Sequence, residues 1–97
     1  MRIVTHKTIE LFHKKHSNSK SALEEWYIKT NKAEWTCFAD IKSTFKSVDA
    51  VGNNRFVFNI KGNNYRLVAI ILFQIKIVYI RFLGTHAEYD KIDCTNI

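Results

Sequence analysis

The second half of the chain alternates between hydrophobic and polar positions, and this pattern predicts three consecutive β-strands. The strands are Arg55–Ile60, Tyr65–Leu72 and Ile77–Leu83. Between the first two, Lys61-Gly62-Asn63-Asn64 is typical of a tight turn, because Gly and Asn tolerate a positive φ. The three strands are therefore expected to form a meander that begins with a hairpin.

The turn sets the register of this hairpin. A two-residue loop at Gly62-Asn63 places Ile60 opposite Tyr65 and Asn59 opposite Arg66. Successive side chains of a strand point to opposite faces, so one face of the hairpin is wholly apolar and must pack on the core. That face carries Phe56, Phe58, Ile60, Tyr65, Leu67, Ala69 and Ile71.

The second turn is less clear, and the hydrophobic pattern decides its register. A two-residue loop at Gln74-Ile75 brings Val78, Ile80 and Phe82 into the core, whereas a slip of one residue buries Arg81. The first register is therefore preferred. It predicts a polar cluster on the opposite face of the sheet, beside several apolar residues. The cluster comprises Asn59, Lys61, Arg66, Tyr79 and Arg81.

The first half of the chain has helical spacing instead. It predicts helices over His6–His16, from Ser21 to about Asn31 and over Ala39–Phe45. Ser21 and Glu24 fit a capping box, and short strands are expected at Met1–Thr5 and Val48–Val51. Helices grouped before a meander predict a compact α+β domain. The helices would pack on one face of a small, mainly antiparallel sheet, followed by a short C-terminal helix.

Composition indicates one globular domain over residues 1–97, with 46% hydrophobic residues. The formal net charge of +6 favours a polyanionic partner, either a nucleic acid or an acidic protein. The charged residues Lys7 and Glu10 argue against a signal peptide. The apolar run Leu67–Leu83 contains Lys76 and Arg81, which argues against a membrane-spanning helix.

The two cysteines have no spacing that suggests a metal site. Cys37 and Cys94 are isolated, without a CxxC motif or a histidine at ligand spacing, so zinc is not expected. Reduced thiols in a cytosolic protein are the simplest interpretation.

The residues around the predicted cluster could bind and cleave RNA. Basic side chains on a sheet face hold phosphates, and aromatic rings stack on unpaired bases. Cleavage by the 2′-hydroxyl of RNA needs a base, charge stabilisation at phosphorus and an acid for the leaving oxygen. His86, Lys61, Arg66 and Tyr89 together offer these groups without a metal.

Each of these residues also has a structural interpretation. His86 follows Thr85, whose hydroxyl can cap a short helix toward Glu88, so the imidazole could simply be a surface group. Strand arginines are usually solvated or paired, here with Asp90 or Asp93, and Tyr89 could belong to the core. From the residues alone, a basic RNA-binding α+β domain is better supported than a nuclease.

Longer motifs carry a resemblance to a known family. FNIKGNNYRLVA (Phe58–Ala69), IVYIRFLGTHAEYDKID (Ile77–Asp93) and the upstream LEEWYIKTNKAEW are similar to HigB-type toxins, within the RelE-like messenger-RNA interferases of toxin–antitoxin systems. Together these motifs and their spacing cover nearly the whole chain. Asn64 departs from the pattern, because this position is commonly basic in the family. The difference bears on the strength of ribosome binding more than on the chemistry.

The resemblance implies a small cytoplasmic toxin that cleaves messenger RNA in the ribosomal A site, without a metal or cofactor. It also implies a HigA-like helix-turn-helix antitoxin and contact with operator DNA only through that complex, with no role for a membrane. By position, the catalytic residues would be Arg66, His86, Lys61 and Tyr89. The RNA-binding residues would be Asn59, Arg81, Tyr79 and Arg55.

Two other functions remain open from the sequence. A non-catalytic module could use the same basic face to bind RNA or the ribosome and block translation. Alternatively, the face could serve only to bind an acidic protein. Loss of toxicity in His86→Ala would favour the nuclease over the first of these.

Overall fold

The computed structural model describes residues 1–97, which form one five-stranded sheet and four helices. The strands are β1 Arg2–Val4, β2 Val48–Gly52, β3 Arg55–Ile60, β4 Tyr65–Leu72 and β5 Ile77–Thr85. The helices are α1 His6–Lys15, α2 Lys20–Lys32, α3 Phe38–Thr44 and α4 His86–Tyr89. The strand order is β1-β5-β4-β3-β2, with β1 parallel to β5 and the other pairs antiparallel. The predicted α+β class is confirmed.

The register of the β3–β4 hairpin is as predicted. Ile60 pairs with Tyr65 and Asn59 with Arg66. The backbone N–H of Asn64 donates to the carbonyl oxygen of Lys61 at 3.2 Å, which closes the turn. Lys61 and Gly62 both have positive φ values, 52° and 64°. The Gly- and Asn-rich turn therefore fixed the pairing of the long strands, as its local conformational freedom allows.

The β4–β5 hairpin follows the prediction at its turn and departs from it further on. Leu72 pairs with Ile77 and Ala69 with Ile80, but the register shifts between Ala69 and Val68, so that Val68 pairs with Phe82. Arg81 is the extra residue of this β-bulge.

The prediction that Phe82 joins the core is therefore wrong. The bulge turns Phe82 to the opposite face and brings Leu83 to the core side, where it pairs with Leu67. Residues 82 and 83 are both apolar, so the alternation along the strand could not choose between them. The shift also lets β5 continue to Thr85, two residues beyond the predicted end.

The core lies between the sheet and the three longer helices. All seven residues predicted for the inner face of the β3–β4 hairpin are buried, as are Leu23 and Trp26 of α2 and Ile41 of α3. The rings of Trp26 and Phe58 meet edge to face at 5.4 Å between centroids. Their burial anchors α2 on β3, because large aromatic side chains remove much apolar surface from water.

The helix boundaries agree with the predicted spacing, but one cap does not. α2 begins at Lys20 rather than Ser21, directly after a 3₁₀ turn over Ser17–Ser19. The hydroxyl of Ser19 donates to the carbonyl oxygen of His16 at 2.6 Å, and no side chain caps the helix. The capping box predicted for Ser21 and Glu24 is therefore wrong, because the preceding turn already leads into the helix.

The long apolar run that resembled a membrane span is divided between β4, a turn and β5. None of the four helices has the length and hydrophobicity needed to cross a bilayer.

Candidate functional site

The face of the sheet away from the helices, called here the outer face, carries three rows of side chains across neighbouring strands. The strand pairing defines them. The first row is Asn59, Arg66 and Gly84; the second is Asp49, Val57, Val68 and Phe82; the third is Arg55, Ile70 and Tyr79. The second row is apolar at its centre, where Val57 and Val68 are buried. It separates the polar first row from the third.

The outer face is less open than the sequence suggested, because the end of the chain returns across it. The ring of Tyr89 lies 6.5 Å from that of Phe82 between centroids. Further on, Arg55 donates from Nε to the carbonyl oxygen of Ile97 at 2.9 Å. These contacts help to explain why valines on this face are shielded from water.

Arg66 is the central residue of the first row and is only 8% exposed. Its Nη1 donates to the carbonyl oxygens of Asn63 and Tyr65, both at 3.3 Å, and its Nη2 reaches Oδ1 of Asn63 at 3.5 Å. These bonds are long, and all the acceptors are neutral. No carboxylate pairs with this guanidinium. From the sequence, Arg66 could have been a solvated or an ion-paired arginine. Both interpretations are wrong.

Gly84 makes room beside Arg66. A Cβ atom at this position would lie 2.6 Å from Cζ of Phe82 and 3.0 Å from Oε1 of Glu88. Only glycine lets β5 lie this close both to the ring of Phe82, two residues earlier, and to the carboxylate of Glu88 in α4. The absence of a side chain at Gly84 therefore sets the approach of α4 to the first row.

The short helix α4 is fixed at its start by the predicted capping box. Thr85 Oγ1 accepts from the backbone N–H of Glu88 at 3.2 Å, and Glu88 Oε1 accepts from the N–H of Thr85 at 2.8 Å. Hydrogen bonding of the Glu88 carboxylate to the backbone N–H of Thr85, and then to the Thr85 side chain, holds the pKa of Glu88 below its ordinary value, with smaller contributions from His16 and Lys15. The helix start is thus held by local hydrogen bonds.

His86, the first residue of α4, lies against the β3–β4 turn. Its backbone N–H donates to the carbonyl oxygen of Asn64 at 3.2 Å. On the ring, Nδ1 lies 3.1 Å from Oδ2 of Asp90, one helical turn later. In this contact Nδ1 carries a proton directed at the Asp90 carboxylate, which leaves Nε2 for another partner. The imidazole is half-exposed and therefore reachable by a substrate.

Tyr89 joins α4 to Arg66. The guanidinium carbon lies 6.0 Å from the centroid of the Tyr89 ring, a cation–π distance. The hydroxyl of Tyr89 donates to Sγ of Cys94 at 3.4 Å. This hydrogen bond, together with burial and the nearby Cys94 and Asp49 charges, raises the pKa of Tyr89 to about 12 despite Arg66. Tyr89 is therefore a neutral hydrogen-bond donor at physiological pH.

Lys61 and Asn59 lie at the opposite side of Arg66. Lys61 is exposed in the turn, and no acid is within salt-bridge distance of it. Asn59 is half-exposed, and its side-chain amide donates to Oγ of Ser47. Arg66, His86, Tyr89, Lys61 and Asn59 thus cluster around one end of the sheet.

Three other predicted RNA-binding residues are not part of this cluster. Arg55 and Tyr79 lie in the third row, and Arg55 is four residues from Asn59, roughly 13 Å along the strand. Arg81 is exposed in the bulge without a residue opposite it. RNA that contacts Arg55 or Tyr79 as well as the catalytic cluster would have to cross the apolar second row.

The sequence reasoning missed two residues that contact the cluster. Asp90 orients His86, and its spacing of four residues within a short helix was a usable signal. Cys94 accepts from Tyr89, although the sequence placed it only as an isolated thiol. Neither arginine thought to pair with Asp90 does so, and Asp93 accepts from Thr95 and Asn96 instead.

Comparison with known proteins relates the chain to a single toxin family. Residues 19–92 match the HigB toxin family, described as the RelE-like toxic component of a toxin–antitoxin system. The chain is 28% identical to the mRNA interferase HigB of Escherichia coli O6:H1 over 94 residues, which cover 95% of this chain and 91% of the relative. It is 30% identical over 92 residues to the mRNA interferase toxin HigB of Escherichia coli K12 and to mRNA interferase HigB of Shigella flexneri. Those matches cover 93% of this chain and 88% of each relative. With a match over most of its length, the chain belongs to the HigB family of RelE-like toxins.

Proposed function

We propose that this protein is a ribosome-dependent endoribonuclease that cleaves translated messenger RNA in the ribosomal A site and thereby stops growth. Membership of a toxin family supports the cellular role. Relatives that carry the name mRNA interferase support cleavage of messenger RNA. The residues around Arg66 support the chemistry.

The observation that carries the proposal is the unpaired, nearly buried guanidinium of Arg66. Removing a charge from water costs free energy unless a partner of opposite charge replaces the lost hydration. The protein offers Arg66 only long bonds to neutral oxygens and the Tyr89 ring at 6.0 Å, and no negative charge. A phosphodiester matches the planar fork of donors and would complete the missing interaction. We assign Arg66 to the scissile phosphate, with Lys61 as a second cation that neutralises it.

His86 is assigned to proton transfer. In the proposed reaction the 2′-oxygen attacks phosphorus, the bond to the 5′-oxygen breaks, and one proton leaves the nucleophile while another reaches the leaving oxygen. Asp90 holds Nδ1 of His86, so Nε2 is the atom that would exchange a proton with the RNA. Tyr89 keeps its proton and would position the nucleotide as a hydrogen-bond donor. No step in this scheme is assigned to a metal or cofactor.

The remaining assignments concern binding. Asn59 would orient the RNA backbone or a base edge next to Arg66, and Arg81, Tyr79 and Arg55 would contact RNA outside the catalytic cluster. The proposed partners are messenger RNA on the translating ribosome and a HigA-like helix-turn-helix antitoxin. Operator DNA would be contacted only through the toxin–antitoxin complex, and the proposed location is the cytoplasm.

Primer extension after brief induction tests this function. Wild type, Arg66→Ala and His86→Ala would be compared on one reporter messenger RNA, both in translating polysomes and as free transcript. We expect new 5′ ends at defined codon positions only in translated RNA, and at least a hundredfold fewer in both variants, about 2.7 kcal/mol of transition-state stabilisation. Circular dichroism would show that the variants are folded.

Growth arrest by the wild type without new 5′ ends would contradict the nuclease proposal. Toxicity that survives in His86→Ala but disappears in Arg66→Ala would instead identify a translation inhibitor that binds without cutting.

A further inference from the structure

A groove of about 430 Å³ opens beside the candidate site, between α2, the connection from α3 to β2, and β3. We call it the α2–β3 groove. Its volume lies in the range of about 300–1,000 Å³ that is typical of small-molecule sites. Its lining includes Ala22, Phe45, Lys46, Ser47, Asn59 and Lys61.

The groove exists because β3 is longer than its edge neighbour. β2 begins at Val48, which pairs with Phe58, so β3 continues past the end of β2. Beyond this point, Asn59 bonds across only to Ser47, from its backbone N–H to the carbonyl oxygen at 3.2 Å and from its side-chain amide to the hydroxyl. The side of β3 that leads to Lys61 is therefore accessible from the edge of the sheet.

The lining combines an aromatic surface with cations and neutral polar groups. Phe45 is half-buried and is supported by the ring of Phe58 at 5.4 Å. Lys46 and Lys61 are exposed at the rim. The carboxylate at the rim, Glu25, is engaged by Lys29 at 2.7 Å. Single-stranded nucleic acid is bound by this combination, since bases stack on aromatic rings while lysines hold the flanking phosphates.

Two of the lining residues also belong to the candidate catalytic cluster. Asn59 pairs directly with Arg66 across β3 and β4, and neighbouring strands are roughly 5 Å apart. Lys61 begins the turn that holds His86 through Asn64. The groove therefore adjoins the place assigned to the scissile phosphate through Asn59 and Lys61, whereas Arg66, His86 and Tyr89 lie outside its lining.

We propose that the α2–β3 groove binds the base of a nucleotide adjoining the scissile phosphate, with the base against Phe45 and its phosphate at Lys46 and Lys61. This inference rests on the proposed nuclease function and extends it to sequence selection. The Asn59 amide and the Ser47 hydroxyl, which bond to each other at the groove, are the groups that would read the base edge.

A groove-filling variant tests the inference. Ala22→Leu adds a large side chain to the wall of the groove, whereas Ser21→Leu adds the same side chain at an exposed position outside its lining. Purified proteins would be titrated with short oligoadenylate and oligouridylate strands while tryptophan fluorescence is recorded, since Trp26 lines the groove. We expect Ala22→Leu to weaken RNA binding about tenfold, the loss of one stacked base, and Ser21→Leu to bind like wild type.

The same pair would then be compared by primer extension. We expect Ala22→Leu to lose the nucleotide preference next to the cut that wild type and Ser21→Leu share. Because a larger residue on α2 could disturb packing, Lys46→Glu serves as a second variant, with Lys32→Glu at the end of α2 as its control. Lys46→Glu should also bind RNA about tenfold more weakly, since it replaces an attraction with a repulsion.

The outcomes separate this inference from the proposed function. Unchanged RNA binding in both Ala22→Leu and Lys46→Glu would overturn the inference. So would variants that bind RNA normally but no longer bind the antitoxin, because the groove would then be a protein-docking site. If wild type cuts no RNA, the nuclease proposal fails, while the fluorescence titration still decides whether the groove takes a base.

Discussion

At the scale of the residue, we infer that Arg66 is kept for function at the expense of stability. Its guanidinium is nearly buried and has no carboxylate partner. Arg66 is the only lysine or arginine that is buried; the others, of which Lys29 alone forms an ion pair, are at least partly exposed to water. The uncompensated charge is therefore specific to the cluster, and its energetic cost can be measured separately from its role.

Replacing Arg66 by an apolar residue should stabilise the protein while abolishing its activity. Arg66→Met keeps the length of the side chain but removes the buried charge, so we expect unfolding free energy to rise by roughly 1 kcal/mol. Urea unfolding measures this change. The control is Arg81→Met, at an exposed position, which should change stability by less than about 0.5 kcal/mol. A loss of stability in Arg66→Met would mean that the arginine is needed for folding.

Tyr89 offers a second test at this scale, through its pKa of about 12. The folded state keeps the phenol proton above pH 10, where an unfolded tyrosine loses it. The resulting stabilisation is complete below about pH 10 and is lost as the pH rises toward 12.

In Cys94→Ala we expect one of the four tyrosines to ionise at lower pH, because the hydrogen bond to sulfur is the main cause of the shift. The ultraviolet absorbance of tyrosinate follows this titration. Cys37→Ala, at an exposed cysteine on the helical side, should leave the curve unchanged. Identical curves for all three proteins would show that Cys94 does not hold the Tyr89 proton.

At the scale of the element, the end of β5 and α4 act as one unit. Gly84 permits close contact, Thr85 and Glu88 form the cap, and the helix presents His86 and Tyr89. The positions of the two proposed catalytic residues therefore depend on a neighbour without a side chain.

Gly84→Ala should damage both stability and cleavage. The added Cβ would overlap the Phe82 ring and approach Glu88, so we expect a loss of about 1–3 kcal/mol and at least tenfold slower cleavage. Urea unfolding and primer extension measure the two effects. Gly52→Ala is the matched control, since Gly52 has a φ of 95° with no atoms near its Cβ position. It should cost stability through backbone strain alone and leave cleavage intact; equal cleavage by both variants would refute the role given to Gly84.

At the scale of the whole molecule, the positions of the basic residues matter more for RNA binding than the net charge of +6. Lys61 and Arg66 lie at one end of the sheet, and Lys46 lies at the rim of the adjoining groove. If RNA lies along these residues, each cation neutralises one phosphate, and the number of neutralised phosphates can be measured.

RNA affinity should therefore fall steeply with salt, and the slope should report individual lysines. Each phosphate of a single strand that the protein neutralises contributes about 0.7 to the slope of log K against log salt. Lys61→Gln should reduce that slope by about 0.7, whereas Lys32→Gln, at the far end of α2, should not change it. Fluorescence titrations at several salt concentrations provide the slopes. An unaltered slope in Lys61→Gln would remove this lysine from the RNA path.

Local sequence determined much of the fold and part of the site. Lys61 and Gly62, both with a positive φ, form the turn, and the turn set the pairing of Asn59 with Arg66. The Thr85–Glu88 capping box was readable because its partners are three residues apart. In both cases the determining interactions lie within a few residues, where conformational preference and spacing are sufficient.

Tertiary structure decided what depends on distant neighbours. The bulge at Arg81 turned Phe82 outward and Leu83 inward, although both are apolar and equally suited to the core by pattern. The contact of Arg66 with the Tyr89 ring and the bond from Arg55 to Ile97 required the end of the chain to return across the sheet. Sequence alone thus determined the strands, their first register and the residue types of the site. The face, burial and proton state of individual side chains were decided by tertiary structure, because packing and desolvation depend on every surface that meets in three dimensions.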